Sequence, residues 1–553
     1  MNFLKDYLQN DIDFSSYEDI KKNFRIKVPE NFNFAYDIVD RYAEEAPEKL
    51  AMLWIDDKEE RRFNFKEMSL LTNKAANFLT SMGIKKGDAI MLILRRRWEF
   101  WPILLAMHKI GAVAVPATNQ LVKKDIEYRT NAADIKMIIC VDEENVSTEV
   151  EKAMPDSPTV KHLVRVGAPK DGWIDFTKEF EKQSDSFTRP TGEANTQNSD
   201  IMLRYFTSGT SGYPKMVQHN FAYPLGHITT AKFWQQVVDD GLHLTIAETG
   251  WAKAMWGKLY GQWICGSAVF VYDMMSFKPY VILQKIQNYK ITTFCAPPTV
   301  YRYLIRSKLD TYDLSSLKHC VTAGEALNPE VYNKFYEMTG IRMYEGYGQT
   351  ETTLLAGNFA DMTPKPGSMG KPGPGYDMDI VNADGKPCKA GEVGSIVLYF
   401  KEGKPVGVFS GYYKDQELTD KAFEGGIYHT GDTAYFDEDG YYWFIGRDDD
   451  LIKTSGYRVS PFEVESIFQQ HPACLECAVT GIPDKHRGQA VKATVVLAQG
   501  YEPTEELRIE MLTFVKERSA VYKHPRELEF VKELPKTISG KIRRVEIRSK
   551  DNV

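Results

Sequence analysis

The sequence predicts an α/β fold: a large N-terminal domain of parallel α/β sheets plus a small antiparallel β region, followed by a small α+β C-terminal domain. Three observations predict it. From about Phe34 to about Glu345, short apolar runs alternate with segments of helical period, the pattern of parallel strands joined by crossover helices. Near Pro364 the chain turns rich in Gly and Pro, with short strand-like runs between turns. Beyond Arg447 a charged stretch, DDDLIK, leads into a compact segment that mixes both patterns. A chain of 553 residues exceeds what one core organises, so two or more domains are expected.

Taken in order, FKEMSLLTNKAANFLTSMG spaces its apolar residues as a helix does and stops at Gly83. AIMLIL is a short apolar run that reads as a buried strand. EFWPILLAMHKIG returns to helix, and AVAVPA and IKMIICV to strand. MLRYF is a strand that opens into a Gly- and Ser-rich loop, and VILQKIQNYK followed by ITTFCAP repeats helix and strand. Within the antiparallel region, about 364–447, Ala383-Asp384-Gly385 and Glu438-Asp439-Gly440 are hairpin signals. Neither an internal repeat nor a low-complexity tract is present.

Composition excludes several function classes. The 69 basic and 76 acidic residues leave a net charge of -7 without long blocks of one sign, so nucleic acid is not an expected partner. The N-terminal stretch lacks the basic and apolar regions of a secretory signal. The best bilayer candidate, WPILLAMHKIGAVAVPA, is interrupted by His108 and Lys109, so no integral membrane segment is expected. Seven cysteines, an odd number, favour reduced thiols and a cytoplasmic location. Cys474 and Cys477 form a CxxC beside His471, but no further ligand stands at metal-site spacing, so ordinary buried thiols are expected.

Four motifs carry chemistry. In YFTSGTSGYPK, Gly209 and Gly212 allow a tight turn whose N–H groups can face phosphate oxygens. Thr207, Ser208, Thr210 and Ser211 add hydroxyls, and Lys215 adds a compact positive charge. The Gly-Lys-Ser/Thr ending of a Walker A loop is absent. In YEGYGQTET, Tyr347 can stack on a base, Thr350 can donate to phosphate, and Glu351 offers a hard oxygen ligand to Mg²⁺. In the third, Asp432 can accept both hydroxyls of a ribose and Arg447 can clamp the sugar or a phosphate. The fourth, LPKTISGKIRR, sets Lys541 on a Gly turn. Each alone is compatible with a turn, a helix cap or a basic tail; all four in this order are not.

Together these motifs closely resemble the adenylate-forming superfamily of acyl-coenzyme A synthetases, luciferases and peptide-synthetase adenylation domains. The likeness covers nearly the whole chain. FNFAYDIVDRYAEEAPEKLAMLW, PATNQL and AETGWAKAMWGKLYGQW make it most similar to the medium-chain acyl-coenzyme A synthetases. The resemblance implies ATP, Mg²⁺ and coenzyme A as cofactors, a small-molecule carboxylic acid as substrate, and two steps: acyl-adenylate formation with release of pyrophosphate, then thioester formation with release of AMP. By position it implies that Thr207 to Lys215 hold the β- and γ-phosphates and that Gly324, Glu325 and Ala326 line adenine opposite Tyr347. Glu345, Gly346, Gly348 and Gln349 fall with Tyr347 among the nucleotide-binding positions of the same motif. Thr350 falls at the α-phosphate, Glu351 at the metal, and Asp432 and Arg447 at the ribose. Lys541 falls between the reacting carboxylate and the α-phosphate. Asp449 matches the hinge, which divides the chain into residues 1–448 and a small mobile α+β C-terminal domain, 449–553. Rotation there brings Ser455-Gly456-Tyr457 to the pantetheine tunnel. Gln120, Arg487 and Arg526 match coenzyme A positions, and Arg458 a position near phosphate and substrate.

For the acyl group, acetate-specific relatives carry a Trp where this chain has Gly348, so a pocket larger than acetate needs is expected. Trp251 and Trp256 lie in the segment that lines it, and Trp256 is expected to shorten it. Lys253, in the same segment, is expected to swing out of the site rather than to face an anionic tail. An aryl-coenzyme A ligase is the alternative that Gly348 leaves open. An adenylation enzyme loading a carrier protein would need an acidic residue in that segment, and a non-catalytic nucleotide sensor would not need Lys541, Glu351 and Thr350 together.

Overall fold

A computed structural model describes residues 1–207, 214–447, 450–455, 457–536 and 542–551; of Arg458 it describes the backbone. Among the described residues the strands form sheets of nine, eight, four and five strands. The nine-stranded sheet has Leu242–Thr245, Ala268–Tyr272, Thr293–Ala296, His319–Thr322 and Met343–Gly348 near its middle. The eight-stranded sheet is built around Ala89–Ile93, Val113–Pro116, Ile135–Val141 and Ile201–Thr207. Both are parallel in their interiors. Ala89–Ile93 is buried at every position, as a strand covered on both faces must be.

The helices end where the residues dictate. Phe65–Ser81 starts on Asn64, whose side chain accepts from the Glu67 amide, and stops before Gly83, whose φ is +79°. Phe100–Ile110 is closed by Gly111 in the left-handed region at φ +74°. The parallel pattern breaks at the edges. Ile201–Thr207 and Lys215–Asn220 pair antiparallel, as do Met343–Gly348 and Leu354–Gly357, because connections this short cannot return a parallel strand.

The four-stranded antiparallel sheet spans Asp377–Val381 to Tyr442–Arg447. Glu438–Gly440 turns Tyr428–Phe436 directly into Tyr442–Arg447. Ala383–Gly385 closes only the small Val381–Pro387 bridge, and the chain makes a longer excursion before Gly394–Tyr399 joins the ladder. From this region Gly411–Tyr412 returns to pair with Lys215–Asn220, lacing it to the large sheet. Beyond Asp450, a five-stranded sheet with helices Pro461–Phe468 and Glu505–Arg518 encloses a separate core that includes Phe468, Val479, Val491 and Met511. All seven cysteines are free and buried, and among the described residues no group of His, Cys, Asp and Glu could hold a metal ion by itself. Among them also, no helix is long and apolar enough to cross a membrane.

Candidate active site

The site forms where the strand ends of the two large sheets meet the antiparallel region. Thr207 and Lys215 are the last paired residues of their hairpin, so they face each other across the mouth of the glycine loop. Residues 208–213, which include the expected Ser208, Gly209, Thr210, Ser211 and Gly212, lie outside the described residues. Lys215 Nζ sits over the Tyr412 ring, 5.4 Å from its centre, and the Tyr412 hydroxyl donates to Glu351 Oε1 at 2.9 Å. Burial and the neighbouring carboxylate hold the Tyr412 phenol well above its ordinary pKa, so it stays a donor. The fold thus brings the loop lysine beside the expected metal-binding carboxylate through a tyrosine absent from the sequence reading.

The turn Gln349–Thr353 is pinned from behind. His219 is fully buried, and desolvation pushes its pKa down to about 3, so the ring is neutral and Nε2–H donates to the Thr350 carbonyl oxygen at 2.8 Å. The Phe409 amide donates to the Glu351 carbonyl at 2.8 Å, and the Thr353 amide to Gly407 at 3.1 Å. These bonds leave the Thr350 and Glu351 side chains half-buried rather than packed away.

A second hub centres on Asp432, 4 % exposed. Tyr347 OH and Gln349 Nε2 both donate to its Oδ2 at 2.5 Å, and Arg447 Nη1 lies 3.4 Å from its Oδ1. Asp432 and Arg447 are directly opposed across the antiparallel ladder, which fixes their pairing. Tyr428 OH donates to Gln349 Oε1 at 2.6 Å and sets the amide's orientation. Carboxylate, phenol, amide and guanidinium therefore converge here, with Tyr428 as an added support.

The expected adenine loop bends at Gly324, φ +101°, a conformation that favours glycine. Glu345 lies behind this loop. Its side chain is 4 % exposed, and Oε1 accepts from the Leu327 amide at 3.1 Å. Burial pushes its pKa up to about 8 against the pull of that single amide. Glu345 thus holds the loop through its carboxyl from the buried side. Glu325 Oε2 accepts from Thr299 Oγ1 at 2.8 Å. Lys253, expected from sequence to swing out of the site, instead donates from Nζ to the Ala323 carbonyl and ties the acyl-lining segment to this loop.

At Gly348 the structure sets Trp256 alongside, the residue expected from sequence to shorten the pocket. A Cβ there would stand 2.5 Å from Trp256 Cη2 and 2.6 Å from the Thr353 carbonyl oxygen. The space beside Gly348 is therefore already taken by Trp256, which is 7 % exposed. Two residues earlier on the same strand face, a Cβ at Gly346 would meet Trp234 at 2.6 Å. The two indoles cross at 87°, with centroids 6.3 Å apart. Trp234 was missing from the sequence reading, although glycines at alternate strand positions are the signal that bulky groups press on that face. Trp251 is half-buried, and Gly250 beside it packs on the Ala117–Thr118 backbone, close to the exposed Gln120.

Ser455, Tyr457, Arg487 and Arg526 come together around a cavity of about 320 Å³ that Tyr522 and His524 also line. Tyr457 and Tyr522 stack there at 4.4 Å. Gln120 is not among its lining residues. Asp449, Gly456, Lys541 and the Arg458 side chain lie outside what the structure describes.

The chain is similar to known proteins over nearly its whole length. The family model for AMP-binding enzymes matches residues 39–413, and that for the AMP-binding enzyme C-terminal domain matches 463–541. The mitochondrial acyl-coenzyme A synthetase ACSM3 of Mus musculus is 41 % identical over 548 residues, covering 97 % of this chain and 94 % of the relative. The mitochondrial acyl-coenzyme A synthetase ACSM4 of Homo sapiens is 40 % identical, covering 95 % and 91 %. Among solved structures, the anthranilate CoA ligase AuaEII in complex with anthranoyl-AMP superposes with a TM-score of 0.86 at 30 % identity, covering 95 % of this chain and 98 % of that one. A benzoate CoA ligase from Burkholderia xenovorans LB400 gives 0.81 at 26 %, covering 94 % and 100 %.

Proposed function

The chain belongs to the AMP-binding enzyme family, and from that premise we propose that it is an ATP-dependent, AMP-forming acyl-CoA synthetase acting on a short- to medium-chain carboxylic acid. The observation that carries this reading is the convergence of two hubs: Lys215–Tyr412–Glu351 and Tyr347–Gln349–Asp432–Arg447. One offers positive charge and a carboxylate to phosphates; the other offers a stacking ring and a carboxylate to a nucleoside.

A carboxylate is a poor electrophile, and its attack on a phosphate brings two anions together. In the first step the acid's oxygen forms a bond to the α-phosphorus, and the bond to pyrophosphate breaks. Lys215 with Thr207 offsets charge on the departing phosphates, and Thr350, held by His219, donates to the α-phosphate. Lys541 supplies the charge between the two reacting anions. Asp432 receives the ribose hydroxyls, and Tyr347 covers adenine against Gly324, Glu325 and Ala326. In the second step the coenzyme A thiolate attacks the acyl carbon and AMP leaves. The cavity of Ser455, Tyr457, Arg487 and Arg526 suits an anionic, nucleotide-bearing thiol.

Glu351 fits a Mg²⁺ ligand: it keeps a carboxylate oxygen beyond the one bonded to Tyr412, beside the phosphate lysine, and this ion takes one or two carboxylates plus phosphates and water. When bound, the ion neutralises phosphate charge. In this reading residues 1–448 form the ATP- and acyl-binding domain and 449–553 the mobile domain, hinged at Asp449, with Gln120, Gly456 and Arg458 completing the coenzyme A and phosphate contacts. Trp256 and Trp234 bound the acyl end, so the preferred acids run from propionate to about hexanoate or a branched equivalent. An aryl acid is the second reading, favoured by the likeness to the anthranilate and benzoate ligases. For location we keep the cytoplasm. Seven buried thiols fit any reducing compartment, and the ACSM relatives are mitochondrial, so fractionation of cells decides it.

The test is pyrophosphate release across a panel of acids, with and without coenzyme A. Release with aliphatic acids, and thioester only when coenzyme A is present, is expected. No acid-dependent release would overturn the reading.

A further inference from the structure

A second cavity, of about 150 Å³, lies outside the catalytic cleft, where helices Pro298–Leu304 and Pro329–Thr339 meet the C-terminal unit. Arg302, Arg306, Lys334, Asn328 and Glu330 line it from one side, and Gln469, which caps the helix Pro461–Phe468, from the other. Lys334 neutralises Glu330 at 2.5 Å. Among the described residues neither Arg302 nor Arg306 has an ion pair, and Arg302 Nε is buried without a hydrogen-bond partner. A buried, unpaired guanidinium N–H is costly, and such groups in native proteins are met by water or an ion.

We propose that this cavity binds a small phosphate-class anion, held by Arg302 and Arg306 and bridged to the C-terminal unit by Gln469. Two guanidinium forks match the oxygens of a tetrahedral oxyanion. Inorganic phosphate and pyrophosphate share that chemistry. Asn328 lies four residues beyond Gly324, so the site is close along the chain to the expected adenine loop.

Calorimetric titration of the full-length protein tests it, with phosphate and pyrophosphate in separate arms and a non-hydrolysable ATP analogue occupying the catalytic phosphate loop. One anion per chain is expected, and the arm with the higher affinity names the anion. Affinity should fall about tenfold or more in R302Q/R306Q, since hydrogen bonds to charged groups are lost. It should fall several-fold in R306Q alone, where an exposed side chain changes and the fold is not at risk, and in Q469A. Absence of binding in the unsubstituted protein, or equal affinity in R302Q/R306Q, overturns the site; equal affinity in Q469A overturns the bridge.

Discussion

Trp256 and Gly348 act as one element, and a double-mutant cycle reads it. A methyl at Gly348 would stand 2.5 Å from Trp256 Cη2 and 2.6 Å from the Thr353 carbonyl oxygen, so Gly348→Ala must displace the indole, the backbone or both. Overpacking of this kind costs about 1–3 kcal/mol, and an indole displaced toward the acyl group takes room from it. Gly348→Ala should therefore narrow the pocket and shift the optimum toward propionate. Trp256→Ala removes a nearly buried indole, at about 3–5 kcal/mol of stability, and opens its volume to longer acids. Each methylene accommodated or refused is worth about 1–3 kcal/mol in kcat/KM. In the double variant the indole is gone, so the Gly348 methyl should hardly change selectivity, while the Thr353 contact still lowers stability. A coupling of about 1 kcal/mol or more is expected between neighbours that share a contact. The assay is pyrophosphate release with propionate, butyrate, hexanoate and octanoate for all four proteins, alongside thermal unfolding. Selectivity changes that simply add would refute the shared-space reasoning.

Three further outcomes are expected. Lys541→Ala should abolish adenylate formation by orders of magnitude while supplied acyl-adenylate still yields thioester; an equal fall in both half-reactions would show that the lysine does not belong to the first step. Glu345 has a folded pKa of about 8 against an ordinary 4.5, so its contribution is fully present below pH 4.5 and lost as pH rises through 8. Glu345→Gln should remove that dependence and gain about 3 kcal/mol at pH 7 relative to pH 4.5, seen as a thermal-stability difference that grows with pH; a constant difference would sink the assignment. The buried His108, His219 and His243, with pKa values near 3, and His319, near 4, stay neutral in the fold while the unfolded chain protonates below about 6.5. Stability should fall between pH 6.5 and 4 by about 1.4 kcal/mol per histidine per pH unit, partly offset by Glu345, and a flat unfolding temperature over that range would contradict their burial.

Much of this protein is local in its code. The crossover helices, their glycine stops and the buried strand Ala89–Ile93 follow from period and capping chemistry that neighbouring residues carry in full. The nucleotide motifs were legible for the same reason, since each carries its chemistry in one short continuous stretch, and the structure brings Lys215, Glu351, Tyr347, Asp432 and Arg447 into two adjoining hubs. What the sequence could not decide is what stands across a space from a given residue. Gly348 reads as an opening until the fold lays Trp256, ninety-two positions earlier, against its Cα. Lys253 reads as a solvent-seeking cation until the fold offers it the Ala323 carbonyl. The roles of Tyr412, Trp234 and Tyr428 come only from long-range pairing: Gly411–Tyr412 added to the edge of Lys215–Asn220, an indole against two strand glycines, a phenol on Gln349. Local propensity specifies elements and motifs, whereas steric exclusion and hydrogen-bond satisfaction between distant segments specify the shape of the pocket, and only the folded chain contains those distances.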